Sequence, residues 1–103
     1  MRKKWLPRLA AGTAIGCFGL TEPDFGSNPS GMITNAKKID GGYLLNGHKM
    51  WITNGPDAHT YVIYAKTDLS CAPSKGMTAF IVERDWQNYV STYADEHVWA
   101  VPL

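Results

Sequence analysis

YVIYAK (residues 61–66) and MTAFIVE (residues 77–83) are the stretches that decide the fold of this sequence. Both are rich in β-branched and aromatic residues, which favour strands. The segment 68–76 between them is polar and contains Pro73 and Gly76, which is typical of a loop. We therefore predict two strands joined by a loop as the frame of the fold.

Short strand-like runs separated by turn residues extend this pattern toward the N-terminus. Asp40, Gly41 and Gly42 predict one turn. Asn46-Gly47 predicts a hairpin turn, because Asn-Gly accepts the positive φ angles of a type I′ turn. The predicted strands in this part of the chain are 14–20, 32–39, 43–45 and 48–53. Strands at such short spacing indicate an antiparallel sheet, and the lack of βαβ alternation excludes a Rossmann domain.

The first residues have a different period. Apolar residues recur at helical spacing in RKKWLPRLAA, so we predict a helix over 2–11 with Gly12 as its C-terminal cap. The predicted fold class is therefore mainly β: an antiparallel β-barrel or sandwich-like domain preceded by one short helix.

Composition and charge exclude several functional classes. The chain has 103 residues, of which 45% are apolar and 18% charged, as in a single globular domain. A formal net charge of +1 gives no basic surface for nucleic acid. No apolar run reaches the ~18 residues of a membrane span, and Pro7 and Arg8 interrupt the N-terminal apolar stretch, so we predict neither a span nor secretion. Cys17 and Cys71 lack zinc-site spacing and are predicted to be free thiols.

The glycine-rich segment GCFGLTEPDFGSNPSG (residues 16–31) is the first candidate site. Its backbone N–H groups suit a concave anion or ligand site, to which Thr21 and Ser27 add hydroxyl groups. The alternative is a plain turn, in which Glu22 and Asp24 cap backbone N–H groups. The residues alone leave both interpretations open.

The segment WIT (residues 51–53) is the second candidate site. A tryptophan in this position is usually a core aromatic residue. The alternative is a stacking face for a flat ligand, with a hydroxyl and a backbone N–H from Thr53 at its edge. None of the histidines, His48, His59 and His97, is predicted to belong to a Ser-His-Asp triad, and no metal site is predicted.

Several stretches, in their order along the chain, resemble the middle domain of the acyl-CoA dehydrogenases: LPRLAAG, GCFGLTEPDFGSNPSGM, DGGYLLNGHKMWITNGPDA, YVIYAKTD and GMTAFIVER. TEP-x-x-GS and NG-x-K-x-WIT carry most of the resemblance, which covers residues 2–84 and is strongest to the glutaryl-CoA and isovaleryl-CoA dehydrogenases. It implies a remnant of a preceding helical domain in 1–12, the middle domain in 13–84 and a divergent tail in 85–103. By this resemblance the chain is expected to be a fragment of a longer enzyme.

The resemblance implies FAD as the cofactor and oxidation of the α–β bond of an acyl-CoA thioester, with a hydride moving to flavin N5. Residues 18–27 match the segment that lines the isoalloxazine ring and the pyrophosphate. Thr21 would bond the pyrimidine side of the ring, Trp51 would pack against the ring, and Thr53 would reach its N5 edge. The implied cofactor-binding residues are Phe18, Gly19, Leu20, Thr21, Glu22, Pro23, Asp24, Phe25, Gly26, Ser27, Trp51, Ile52 and Thr53.

The implied contacts with the acyl-CoA substrate are Ser27, Ser74 and Lys75. The family's catalytic glutamate lies in a following helical domain with no counterpart here, so we assign no catalytic residue and expect no catalysis by this chain alone. For the full-length enzyme the resemblance implies electron-transfer flavoprotein as a partner, a homo-oligomer, and a location in the mitochondrial matrix or the bacterial cytoplasm.

The tail departs from the family pattern after Arg84. Residues 89–93 and 97–101 are candidates for further strands, but the family's own closing strands are not recognisable. We therefore expect a sheet that lacks its last strands and leaves an unpaired edge. This departure keeps open an alternative function, a noncatalytic remnant or a protein-interaction β module.

Overall fold

The computed structural model describes residues 2–68, 70, 71, 75–84 and 98–102. Within these residues the chain forms one helix, one 3₁₀ turn at Pro29–Gly31 and six strands. The elements are α1 (Arg2–Ala11), β1 (Gly16–Gly19), β2 (Asn35–Ile39), β3 (Gly42–Asn46), β4 (Thr60–Lys66), β5 (Met77–Glu83) and β6 (Val98–Pro102). The prediction of a mainly β fold with one short N-terminal helix is confirmed.

The β4–β5 pair is the centre of the fold. The two strands are antiparallel along their whole length, from Thr60 opposite Glu83 to Lys66 opposite Met77. Alternate side chains face the core, and Phe80 and Val82 of β5 are completely buried there. The β4–β5 pair confirms the frame predicted from YVIYAK and MTAFIVE, with β4 beginning one residue earlier, at Thr60.

The sheet is mixed and not purely antiparallel. From β5 the antiparallel pairings continue through β6 and β3 to β2. A single parallel pair, Asn35 with Lys66, then connects β2 with β4. β1 also runs parallel to β4, with Gly16 opposite Thr60 and Gly19 opposite Ile63. The parallel pairing of β1 places residues 16–19 beside β4.

The turn predicted at Asp40 and Gly41 is confirmed. It joins β2 to β3 as a two-residue hairpin, with Ile39 paired to Gly42 and a φ of 84° at Gly41. The turn predicted at Asn46-Gly47 is wrong, since β3 ends at Asn46 and residues 47–53 form no strand.

Contacts with another part of the chain explain this difference. Gly47 has a φ of 151° and lies so close to Thr34 that an added Cβ would approach the Thr34 Cα to 2.6 Å. The chain therefore passes against residue 34 instead of folding back along β3. The predicted strand 32–39 is shortened to β2 for a related reason, because the N–H groups of Ile33 and Thr34 donate to the Glu22 carboxylate.

Helix α1 has the predicted bounds and ends at Ala11, and Gly12 follows it with a φ of 76°. The helix contacts the sheet through Trp5, which is buried and donates from Nε1 to the Glu83 carboxylate at 3.3 Å. The Lys4 ammonium forms an ion pair with the same carboxylate at 2.8 Å. No helix in the described part of the chain has the length and apolar character needed to cross a membrane.

The end of the chain contributes to the sheet. β6 (Val98–Pro102), close to the predicted run 97–101, pairs with β3 on one side and β5 on the other. Among the residues that the structure covers, the unpaired edge expected after Glu83 is therefore not found at β3 or β5. The candidate strand 89–93 lies outside the described residues.

Candidate functional site

A pocket of about 280 Å³ opens between two segments that are far apart in sequence. We call residues 16–21 the first wall and residues 51–54 the second wall. The lining residues are Gly16, Cys17, Phe18, Leu20 and Thr21 from the first wall, and Trp51, Ile52, Thr53 and Asn54 from the second. The fold thus brings together the two candidate sites that the sequence indicated separately.

The first wall is formed by β1 and the residues that follow it. Successive side chains of a strand point to opposite faces; Cys17 packs toward the core, whereas Phe18 is 62% exposed. Gly19 is buried, and a Cβ there would lie 2.8 Å from the tip of the Ile63 side chain, so β1 approaches β4 closely at this residue. Burial raises the pKa of Cys17 to about 11, which keeps its thiol neutral at physiological pH.

The second wall holds an unusual tryptophan. Trp51 is 84% exposed and has a φ of 60°. Left-handed backbone is uncommon for a bulky residue and is found where the surrounding structure imposes it, often at functional sites. The interpretation of Trp51 as a core aromatic is therefore wrong, and its indole ring is available to a ligand.

Hydrogen bonds join the segments that carry the two walls. The Met50 N–H donates to the Thr21 carbonyl at 2.9 Å, and the Lys49 ammonium donates to the Leu20 carbonyl at 3.1 Å. The ammonium also donates to the Glu22 carboxylate at 2.8 Å. Residues 49 and 50 are thus bonded to residues 20–22, immediately before Trp51.

The Glu22 carboxylate is buried and fully engaged inside the protein. It accepts from the Ile33 N–H at 2.7 Å, from the Thr34 N–H at 3.1 Å and from Lys49. Burial alone would raise the pKa of Glu22, but the hydrogen bonds from Lys49, Thr34 and Ile33, with the charge of Lys49, hold it below its ordinary value. These contacts agree with the interpretation of Glu22 as a cap for backbone N–H groups.

Lys49 is a residue that the sequence reasoning missed. The sequence signals it only as the lysine of NG-x-K-x-WIT, a motif that predicts no role for it. Burial lowers the pKa of Lys49, and the pairing with Glu22 offsets only part of that lowering. The Met32 sulfur lies 3.7 Å from the same ammonium.

The remaining predicted cofactor residues lie in the turn beyond the first wall. Glu22 and Phe25 exchange backbone hydrogen bonds, with Pro23 and Asp24 exposed at the tip. Gly26 and Ser27 are also exposed and, like the tip, do not line the pocket.

The substrate contacts predicted at Ser27, Ser74 and Lys75 stay a prediction. Lys75 is exposed and does not line the pocket, and Ser74 lies outside the described residues. His59 has a structural role, since its Nδ1 accepts from the Ile15 N–H at 2.9 Å. Among the residues in the structure, no cluster of three His, Cys, Asp or Glu side chains is placed to bind a metal ion.

The chemistry of the pocket suits a flat, largely uncharged ligand. All of its described lining residues are uncharged, and they include two exposed aromatic rings and the hydroxyl-bearing Thr21 and Thr53. Ligand pockets usually measure about 300–1,000 Å³. At about 280 Å³ this pocket has room for a ring system but not for a whole dinucleotide. The residues present therefore fit an isoalloxazine ring.

Comparison with known proteins gives a consistent family. The family model described as "Acyl-CoA dehydrogenase, middle domain" matches residues 17–101. The mitochondrial isovaleryl-CoA dehydrogenase of Arabidopsis thaliana is 54% identical over 81% of this chain and 20% of its own length. The mitochondrial 2-methylacyl-CoA dehydrogenase of Solanum tuberosum is 49% identical over 85% of this chain and 21% of its own length. The chain thus spans about a fifth of these relatives.

Solved structures give the same result. A glutaryl-CoA dehydrogenase from Mycobacterium smegmatis in complex with FADH2 is 45% identical, with a TM-score of 0.77 over 97% of this chain and 26% of its own. The butyryl-CoA dehydrogenase of Megasphaera elsdenii is 39% identical, with a TM-score of 0.77 over 99% of this chain and 30% of its own. The chain belongs to the acyl-CoA dehydrogenase family, and it corresponds to the middle domain.

Proposed function

We propose that this chain is the flavin-lining part of an acyl-CoA dehydrogenase, and that its pocket receives the isoalloxazine ring of FAD. The observation that carries the proposal is the meeting of the first and second walls, residues 16–21 and 51–54, in one uncharged pocket. The relative from Mycobacterium smegmatis, described in complex with FADH2, supports the same cofactor.

The two walls offer different contacts to the ring. Phe18 and Trp51 are exposed aromatic groups that can pack against a flat ring. Thr21 and Thr53 supply neutral hydroxyl and backbone groups for its polar edges. FAD, when bound, would supply the hydride acceptor. Fixed neutral donors would stabilise the negative charge that develops on the reduced ring, without carrying a charge themselves.

The flanking turn serves the rest of the cofactor and the substrate in this proposal. Pro23, Asp24, Phe25, Gly26 and Ser27 lie beyond the ring pocket, in a turn whose tip is exposed, and would contact the pyrophosphate. Ser27, with Ser74 and Lys75, would contact an acyl-CoA thioester.

The whole enzyme is expected to pass electrons to electron-transfer flavoprotein, to be a homo-oligomer and to reside in the mitochondrial matrix. Relatives described as mitochondrial support the location. No residue of this chain is assigned as the catalytic base. We expect no turnover of glutaryl-, isovaleryl- or butyryl-CoA by this chain alone in an assay with an artificial electron acceptor.

Titration of the 103-residue chain with FAD tests the proposal. We expect a change in the visible absorption and fluorescence of the flavin that saturates with protein, and a weaker change with Trp51→Ala. Leu6→Ala is the matched control, because Leu6 is also an exposed apolar side chain but lies on α1 and does not line the pocket. An unchanged spectrum at high micromolar FAD, or equal binding by Trp51→Ala, would contradict the proposal.

A protein-interaction β module has less support. Such a module would use a free sheet edge for docking. β6 pairs with both β3 and β5, so the edge expected at the end of the domain is covered, and among the described strands the remaining edge is the four-residue β1. Size-exclusion chromatography of the chain provides the corresponding check, since an edge that docks would produce larger species as the concentration rises.

A further inference from the structure

The ion pair between Glu22 and Lys49 lies next to the pocket without lining it. Its charged groups are 2.8 Å apart, and the two side chains are only 1% and 6% exposed. A buried pair of this kind is weak evidence for stability, because the loss of solvation offsets much of the attraction. Its position must therefore be explained by what it holds in place.

Lys49 contacts the first wall at successive residues. Its ammonium bonds the Leu20 carbonyl at 3.1 Å, and the next residue, Met50, donates its N–H to the Thr21 carbonyl at 2.9 Å. The aliphatic part of Lys49 covers Gly19, where an added Cβ would lie 3.3 Å from the Lys49 Cγ. The side chain thus fixes the first wall along the stretch that faces the ligand.

Glu22 holds Lys49 in this position from the other side. Its Oε2 accepts from the ammonium, while its Oε1 accepts from the Ile33 N–H at 2.7 Å. The Thr34 N–H donates to both oxygens, at 3.1 and 3.4 Å. The backbone N–H groups of Ile33 and Thr34, outside the pocket, therefore hold the carboxylate in place. The carboxylate in turn holds the Lys49 ammonium.

The second wall needs such a constraint. Trp51 keeps a strained backbone with a φ of 60°, and strained conformations persist only where their surroundings determine them. On the far side of Trp51, the Gly55 N–H bonds the Ile52 carbonyl at 3.0 Å, and the Ala58 N–H bonds the Asn54 carbonyl at 2.9 Å. On the near side the constraint comes from residues 49 and 50.

We infer that Glu22 and Lys49 are positioning residues of the pocket, which set the second wall against the first in the geometry that a flat ring requires. The inference rests on the proposed flavin site for the identity of the ligand. The buried ion pair sets the spacing of the two walls. We therefore expect that neutralising the pair loosens the pocket while the sheet remains folded.

The test compares the wild-type chain with Glu22→Gln/Lys49→Met. A single substitution would leave one buried charge without a partner and could unfold the chain, whereas the double variant removes both charges. The amide introduced at position 22 keeps an oxygen for the Ile33 and Thr34 N–H groups, and the thioether introduced at position 49 keeps most of the length of the lysine side chain. Lys4→Met is the matched control, because it breaks the Lys4–Glu83 ion pair, whose lysine is 53% exposed and lies outside the pocket.

Two measurements separate positioning from cofactor binding. Hydrogen exchange of the Met50 amide, followed by NMR without flavin, reports the bond that joins the walls. We expect it to be at least about tenfold faster in the double variant, with amides of β4 and β5 unchanged. FAD titration reports the ring site, and we expect the affinity to fall by about tenfold or more, with a smaller shift of the flavin absorption.

The outcomes distinguish the two ideas. Faster Met50 exchange together with weaker FAD binding supports both of them. If Met50 exchange is faster in the double variant but the wild-type chain binds no FAD, the positioning role is supported and the proposed flavin site is overturned. Unchanged exchange and unchanged FAD affinity overturn positioning and leave the flavin site intact. Lys49→Arg adds a rescue test: a guanidinium that still reaches Glu22 and the Leu20 carbonyl is expected to restore most of the slow exchange, and exchange as fast as in the double variant would contradict the inference.

Discussion

The β4–β5 pair and the two walls of the pocket are both ordered, but by different interactions. The strands pair residue by residue along their length and bury a continuous apolar face that includes Phe80 and Val82. The walls bury little apolar surface and expose Phe18 and Trp51. Their geometry depends on a few polar contacts, on close approach at glycines and on an ion pair.

This difference separates stability from function. A regular strand pair tolerates small changes at its surface because many equivalent contacts each contribute a small part of its stability. The walls have few contacts, so a single substitution can move a side chain that meets the ligand without unfolding the sheet. We expect substitutions in the two regions to have different consequences.

The largest effect on stability is expected for Phe80→Ala. Phe80 is completely buried and packs against the Tyr43 ring at a centroid distance of 5.2 Å. Removing a buried aromatic ring should lower the free energy of unfolding by about 3–5 kcal/mol, as measured by urea denaturation. Ile33→Ala, at an exposed side chain, is the control and should change it by less than about 0.5 kcal/mol. Similar losses in both variants would mean that the strand pair is not the stable part of the fold.

The next largest effect is expected for Gly47→Ala. The new methyl group would overlap Thr34, including its backbone, so the segment that leads to the second wall must move. We expect a loss of about 3 kcal/mol in the free energy of unfolding. Gly41→Ala is the matched control, because Gly41 also has a positive φ but an added Cβ there meets no atom within 4 Å. The free energy of unfolding of Gly41→Ala should fall by about 1–2 kcal/mol. An equal fall in the two variants would show that the contact with Thr34 is not what makes Gly47 necessary.

Acid should lower the stability of the folded chain by protonating Glu22. The pKa of Glu22 is below its ordinary value in the folded state, so its contribution to stability is complete above the ordinary value of about 4.3 and is lost as the pH falls through the folded value. Thermal melts below pH 5 should therefore show a fall in stability in the wild-type chain. The fall should be smaller in Glu22→Gln/Lys49→Met, and parallel curves would show that Glu22 titrates normally.

The smallest effect on stability is expected for Trp51→Asn, with the opposite sign. Asparagine tolerates a φ near 60° better than tryptophan does, and the lost ring is 84% exposed. We expect the free energy of unfolding to rise by about 0.5–1 kcal/mol while flavin binding weakens. A clear loss of stability would show that the indole ring has a structural role after all.

The sequence predicts the regular part of this molecule well. α1 and β5 have the predicted bounds, and the Asp40-Gly41 turn lies where its residues indicate. These elements follow from local preferences, such as apolar periodicity and the tolerance of glycine for positive φ. Tertiary contacts do not compete with those preferences here.

The pocket segment shows where local rules fail. Asn46-Gly47 has the pattern of a hairpin, but the contact of Gly47 with Thr34 sends the chain elsewhere. Trp51 resembles a core residue in the sequence and is exposed in the fold. Lys49 gains its role only when residues 20–22 lie beside it, a proximity that local spacing does not encode. The two lining motifs were recognised through a family resemblance, whereas their meeting in one pocket required the structure.

Amide chemical-shift mapping of the 103-residue chain during titration with FAD is the most direct test of the two-walled flavin site. Because both walls line the same pocket, we expect the amides of residues 18–21 and 51–54 to shift together, with one common affinity. Amides in the middle of β5 should stay in place. Shifts confined to one wall, or centred on β5, would contradict the claim that these two segments form one flavin site.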